Sequence, residues 1–327
     1  MSKSKLFFSL LSLIICGNVF ALPLDLNIAL QNTYRACVEI DNNLYELKVL
    51  AGVNTGVTAV GTGLGIGATA AGFAKAKLDK EIESLFVQVK DLANDYQGDD
   101  PTEEEQQDWY QKLTAEIDAI DWNDQSIEAD TKKTLKRIQE LNDQYVQKEE
   151  RSKTLGNWRT GLLAGNTATN IAGAIISSKT INKNDLQDQI DNCISATKIL
   201  NDSIIAAKMN GEYVDEAQDI YDACSEFEYV DIGPINKRGT GAMIASSIGA
   251  GLGGVGTIVS GVANSNEIRN NNSDYGREKE KNLNTASNVL SVGATAASAT
   301  ALVFNATQIS AIKKVATVAQ KCTEVLK

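Results

Sequence analysis

The chain contains no histidine. That absence removes Ser–His–Asp triads, imidazole-ligated metals and imidazole acid–base chemistry together. Proline occurs three times and aromatic residues make up 6%, so there is little to break a helix and little bulk for a large-side-chain core. A basic excess is also missing. A net charge of -11 and a pI near 4.7 argue against a nucleic-acid partner, which needs a cationic face toward phosphate. No G-x-x-x-x-G-K-[ST] loop is present, and the G-x-G-x-x-G match at Gly249, Gly251 and Gly254 sits in a glycine run with no strand before it. The cysteines are too widely spaced for a zinc ribbon, and Asp121–Asp130 lacks the glycine and closing glutamate of a calcium loop. The expectation is a protein without cofactor or metal that is not an enzyme. Strand patterning is nearly absent too, with "EFEYVDI", Glu226–Ile232, the one short candidate. The predicted class is all-α: a multi-helix bundle with long Gly/Ala-rich helices and coiled-coil-like hairpins.

What is present begins with an export signal. Lys3 and Lys5 precede an apolar run, Leu6–Cys16, and a small residue, Ala21. This predicts a signal peptide over residues 1–21, cleaved after Ala21. Bulky Ile15 before Cys16 reads against lipid attachment there. The destination is a bacterial cell envelope or periplasm, or alternatively secretion. The remaining cysteines are Cys37, Cys193, Cys224 and Cys322. An even number in an exported chain predicts two disulfides. The expected pairing joins Cys193 to Cys224, which closes a short loop, and Cys37 to Cys322, which ties the ends.

Four stretches, each about the length of a membrane-spanning helix, organise the rest. The expected division of the chain is an N-terminal helix (22–48), Gly/Ala segment 1 (49–75), an acidic helical hairpin region (76–155) and Gly/Ala segment 2 (156–178). A polar helical region with two cysteines follows (179–238), then Gly/Ala segment 3 (239–264), a polar connector (265–283), and segment 4 with the C-terminal helix (284–327). The acidic region holds 21 acidic and 11 basic residues, nearly all of the net charge. Within it Leu78, Ile82, Leu85, Val89 and Leu92 follow a 4-3-4-3 spacing. Asp100, Pro101 and Glu103 read as a helix start that carries Trp109, Leu113, Ile117 and Ile120 inward. A third helix from about Ser126 to Lys153 presents Leu135, Ile138, Leu141 and Tyr145. "NTGVTA" at Asn54, "NTATNIA" at Asn166 and "NTASNVL" at Asn284 look like a divergent internal repeat.

Within the Gly/Ala segments, every fourth residue is small. Segment 3 gives Gly241, Ala245, Gly249, Gly253, Thr257 and Gly261; segment 2 gives Gly161, Gly165, Thr169, Gly173 and Ser177; segment 1 gives Thr55, Ala59, Gly63, Gly67 and Ala71. Residues four apart share a helix face, and a face of small side chains lets another helix approach closely. Each glycine costs up to about 1 kcal/mol against alanine in a helix, so packing against a partner must offset it. The pattern resembles the glycine-zipper (small-xxx-small) class of membrane segments, over these four stretches only, and the resemblance implies helix packing and no activity.

Such segments suit either a bilayer or the core of a soluble bundle, and Asn54, Asn166, Asn170, Asn288 and Asn305 need partners in both. If all four segments span, the cysteine-bearing pieces all fall on one side and the acidic region and the connector on the other. The expected function is therefore that of an exported, non-enzymatic helical envelope protein with a structural or interaction role, its small-residue helices packed in or at a membrane. Membrane lipid is the expected partner, with self-association or a protein partner beside it. The alternatives are a secreted α-helical pore-former and a soluble periplasmic protein-binding bundle.

Overall fold

A computed structural model of the protein describes residues 24–97, 106–124, 126–181, 185–269 and 274–327. The signal peptide expected over residues 1–21 and the helix start expected at Asp100, Pro101 and Glu103 lie outside them. Among the described residues the chain is all-α and packs as a helical bundle. The elements are α1 (Leu24–Gln97), α2 (Gln106–Asp118), α3 (Ala129–Ile181), α4 (Asp185–Met209), α5 (Asp215–Ser225), α6 (Gly233–Ala263), the short α7 (Asn266–Arg269) and α8 (Asp274–Leu326). The candidate strand is instead a 3-10 turn, Glu226–Tyr229, with Phe227 buried beneath it and the Val230 N–H bonded to the Phe227 carbonyl. Burial of Phe227 and Ile232 in the core, not sheet pairing, is what its hydrophobic residues serve.

Three of these helices are much longer than the mean globular helix of roughly 12 residues: α1 has 74 residues, and α3 and α8 have 53 each. No proline interrupts any of them. Each carries a Gly/Ala segment and its polar neighbours in one rod. Where a helix does stop, the signal is specific. Gly211 takes a φ of 74° just past α4, and the Glu212 N–H bonds back to the Ala207 carbonyl at 3.0 Å. This is the left-handed cap that glycine allows.

The chain divides into two compact units. The first comprises the residues up to Gly52, Lys179–Gly239 and Ala306–Lys327. Its core is conventional, built on Leu26, Ile40, Leu44, Leu47, Leu200, Phe227 and Ile312. In α4 the buried positions Leu186, Ile190, Cys193, Thr197, Leu200, Ile204 and Ala207 alternate steps of four and three, the heptad seam of helices packed at a shallow angle. Both disulfides lie in this unit, but the pairing differs from the expected one. Cys37 bonds Cys193 and Cys224 bonds Cys322, with Cα separations of 4.9 and 4.6 Å. Seam geometry decides this: Cys37 and Cys193 occupy buried positions of two helices, and closeness in sequence gives Cys193 no advantage toward Cys224.

The second unit comprises Val53–Ser178 and Thr240–Asn305. One part of it is the acidic region, held by Leu85, Val89, Leu113, Ile117, Leu135, Ile138 and Leu141, with Trp109, Ile120, Trp122 and Tyr145 against them. The other part contains the four Gly/Ala segments.

Candidate functional site

In the second unit α1, α3, α6 and α8 run alternately up and down, and their buried positions follow heptad steps. On α1 these are Asn54, Thr58, Gly61, Gly65, Ala68, Gly72 and Lys75; on α3, Ser152, Gly156, Arg159, Leu163, Asn166, Asn170, Gly173 and Ser177. On α6 they are Ala242, Ser246, Gly249, Gly253, Gly256, Ser260 and Ala263, with Ala245 buried beside Ser246; on α8, Asn284, Ser287, Ser291, Ala294, Ser298, Ala301 and Asn305. Leu163 is the single large aliphatic among them. A seam this small lets backbones approach, which is where a β-carbon has no room. One added to Gly249 would lie 2.8 Å from the Asn170 amide, one on Gly253 2.6 Å from Thr167 Oγ1, one on Gly65 2.6 Å from Thr295 Oγ1, and one on Gly241 2.9 Å from the Phe304 ring.

The residues picked out by steps of four divide into two groups. Gly241, Gly249, Gly253, Gly165, Gly173 and Gly67 meet a neighbouring helix within 3.3 Å of where a β-carbon would stand, and Ala245 is buried. Gly63, Gly161 and Gly261 face open space. On α1 Gly61, Gly65 and Gly72 pack more closely than Gly67, and on α3 Gly156 joins Gly165 and Gly173. A step of four overshoots one helical turn by about 40°, so a stripe drawn that way drifts off the contact within a few steps. The alternating three-four step stays on it.

The interior of the bundle is polar and internally bonded. The Asn54 amide donates to Ser177 Oγ (2.7 Å) and Asn305 Oδ1 (2.9 Å), and the Asn305 amide donates to Thr58 Oγ1 (3.3 Å). One layer along, the Asn170 amide donates to Asn166 Oδ1 and Ser298 Oγ, both at 2.8 Å, and Ser298 donates to Asn166 Oδ1 at 2.9 Å. Thr69 Oγ1 lies 3.3 Å from Ser291 Oγ and 3.2 Å from Thr295 Oγ1. Each of these asparagines thus finds at least one partner across helices, while Asn54 Oδ1 and Asn166 Nδ2 have none among the described residues.

At one end of this ladder stand two cations, Arg159 and Lys75, the largest fully buried side chains among the described residues. The Arg159 guanidinium donates to Ser260 Oγ (3.0 Å), Asn288 Oδ1 (3.0 Å) and Asn284 Oδ1 (2.8 Å). Lys75 Nζ donates to Asp79 (2.7 Å) and Glu280 (3.0 Å), and Ser152 Oγ donates to Asp79 (2.5 Å). Here α1 and α3 supply the cations, α1 and α8 the carboxylates and amides, and α6 a hydroxyl. Sequence reading missed Arg159. The available signal was its register: counted in heptad steps from Asn166, it falls on the seam.

The outside of the same helices is apolar. Val53, Val60, Ile66 and Phe73 on α1, Ile171 and Ile175 on α3, Ile248, Val255 and Ile258 on α6, and Val289 and Val303 on α8 are each about half exposed or more. Soluble bundles place such side chains inside and asparagine outside; here the order is reversed. No family model, curated protein or solved structure matches the chain.

Proposed function

We propose that the protein is an exported envelope protein whose four Gly/Ala helices cross a bilayer as a glycine-zipper bundle, with a structural or interaction role. The observation that carries this reading is the reversal just described: amides, hydroxyls and glycine face in, while valine, isoleucine and phenylalanine face out. Most of the inward polar groups bond one another where no water is available, and the outward side chains meet acyl chains. Lengths fit as well. The charge-free stretches run over residues 49–74, 160–178, 239–266 and 282–312. The shortest, at 1.5 Å per residue, measures about 28 Å, close to the ~30 Å hydrocarbon core.

Three of these helices, α1, α6 and α8, are long and apolar enough to cross by composition alone. The α3 segment is less apolar because of Asn166 and Asn170, and both are buried among other helices rather than turned outward. It counts as the fourth crossing on that ground. With four crossings, the pieces carrying Cys37, Cys193, Cys224 and Cys322 share one side, in keeping with both disulfides joining only those pieces.

The test uses full-length protein in its native membrane. Alkaline carbonate should leave it in the pellet. Single cysteines introduced at exposed positions, Lys198→Cys and Lys133→Cys, should label differently with an impermeant maleimide on intact cells. Lys198→Cys reacts from outside, and Lys133→Cys reacts only after permeabilisation. Release into the carbonate wash, or equal labelling of both sites, would overturn the reading.

A further inference from the structure

The four cysteines do more than pair. The Sγ atoms of Cys37, Cys193 and Cys322 all lie within 4.8 Å of one another, so Cys322 of the second disulfide lies beside both sulfurs of the first. All four residues are essentially inaccessible, in the conventional core of the first unit. The two bonds differ in placement. Cys37 and Cys193 sit well inside α1 and α4. Cys224 lies one residue before the end of the 11-residue α5, and Cys322 four residues before the end of α8. Helix ends open locally far more often than helix interiors, so the Cys224–Cys322 bond is the one an outside thiol reaches first.

The geometry points to a redox relay, in which the two disulfides act as one exchangeable group with Cys322 as its internal nucleophile. A dithiol reductant attacks Cys224 Sγ, the Cys224–Cys322 bond breaks, and Cys322 leaves as thiolate. The reductant's second thiol then closes on the mixed disulfide, leaving Cys224 reduced and the reductant as its cyclic disulfide. The Cys322 thiolate next attacks Cys37 Sγ. A Cys37–Cys322 bond forms, the Cys37–Cys193 bond breaks, and the electron pair leaves on Cys193, which takes up a proton. Attack on Cys193 Sγ instead frees Cys37. This second step is redox-neutral, and its rate follows the usual exchange requirements of thiolate character and access. The partner class implied is a thiol–disulfide oxidoreductant on the side that holds this unit, able to set the pairing through one accessible bond.

Full-length Cys224→Ser protein tests the relay, with disulfides mapped by mass spectrometry after acid quench and alkylation. Three sulfurs then share one bond, in three possible pairings, two of which use Cys322. Free exchange on equal terms should cut Cys322 alkylation by roughly two-thirds. Full alkylation of Cys322, beside an intact Cys37–Cys193 bond, overturns the relay. Should the variant lack native helicity, the wild-type protein decides. It is treated with one equivalent of dithiothreitol and quenched. Alkylation on Cys224 together with a spread over Cys322, Cys193 and Cys37 is the expected result. Alkylation confined to either original pair defeats the proposal.

Discussion

Gly249 of α6 lies directly against the side-chain amide of Asn170 on α3, so close that a β-carbon would sit 2.8 Å from its nitrogen. Asn170 cannot step aside cheaply, because the same amide is bonded to Asn166 and Ser298. Gly249→Val should therefore destabilise the bundle by about 1–3 kcal/mol through overpacking. Gly251→Ala and Gly63→Ala, at positions with nothing within 4 Å, should stabilise by up to about 1 kcal/mol, the helix-propensity difference. Unfolding in mixed micelles, followed by circular dichroism, measures all three.

The contrast between Gly249 and Gly63 also marks how far the amino-acid pattern alone reaches. Helix was legible along most of the chain, the strand candidate Glu226–Ile232 apart, because three prolines and abundant alanine leave the backbone little competing choice. Small residues plainly implied close packing. Register was not legible from glycine alone: nearly every face of these segments carries small side chains, so steps of four found Gly249 but also the outward Gly63. The discriminating pattern lay in the asparagines and Arg159, which the heptad step connects and whose burial makes sense only with cross-helix partners. Disulfide pairing was illegible for a related reason. Four cysteines that converge on one point leave loop length no power to choose among pairings.

Ser246 and Ser298 are both fully buried seam hydroxyls, yet their bonding differs. Ser298 contacts Asn166, Asn170 and its own helix, whereas Ser246 Oγ has no partner among the described residues. Ser298→Ala should cost about 1–3 kcal/mol, because it orphans buried amide atoms, and Ser246→Ala should be neutral or slightly stabilising. Equal losses in the two variants would show that seam hydroxyls act through packing rather than bonding.

Arg159 makes three hydrogen bonds through three different nitrogens, a fork that lysine cannot reproduce. Arg159→Leu leaves Ser260, Asn284 and Asn288 without their donor, with an expected loss of about 3 kcal/mol. Arg159→Lys should recover less than half of that. Chemical denaturation of the reconstituted protein reads the difference, and full rescue by lysine would mean that charge, not geometry, is what the site requires.

Glu81 on α1 and Lys148 on α3 form an ion pair between two helices of the acidic region. The hydrogen bond from Lys148, and then its charge, hold the Glu81 carboxyl below the ordinary glutamate value of 4.5. A carboxyl lowered in the folded state stabilises above its unfolded value and loses that contribution as pH falls through its folded value. The pair is solvent-exposed, so the effect on stability is small and the titration is the sharper readout. Carboxyl carbon NMR should place the Glu81 midpoint below the ordinary glutamate value, and Lys148→Met should move it back up. An unchanged midpoint in that variant would exclude the ion pair as the cause.

Ile258 on α6 is 68% exposed in a charge-free stretch that begins at Gly239, and its environment separates a membrane bundle from a soluble one. On a water-facing surface, Ile258→Asp would be nearly silent or would improve solubility. Facing acyl chains, an aspartate costs up to about 2.5–3.5 kcal/mol, the value insertion scales give at a helix centre. The expected result is a marked loss of carbonate-resistant protein for Ile258→Asp and none for Ile258→Leu. Glu267→Lys, just past the charge-free stretch, should leave extraction unchanged, because a charge already resides there. If Ile258→Asp stays fully integrated, α6 does not present this face to lipid, and the outward apolar surface must be covered by protein instead.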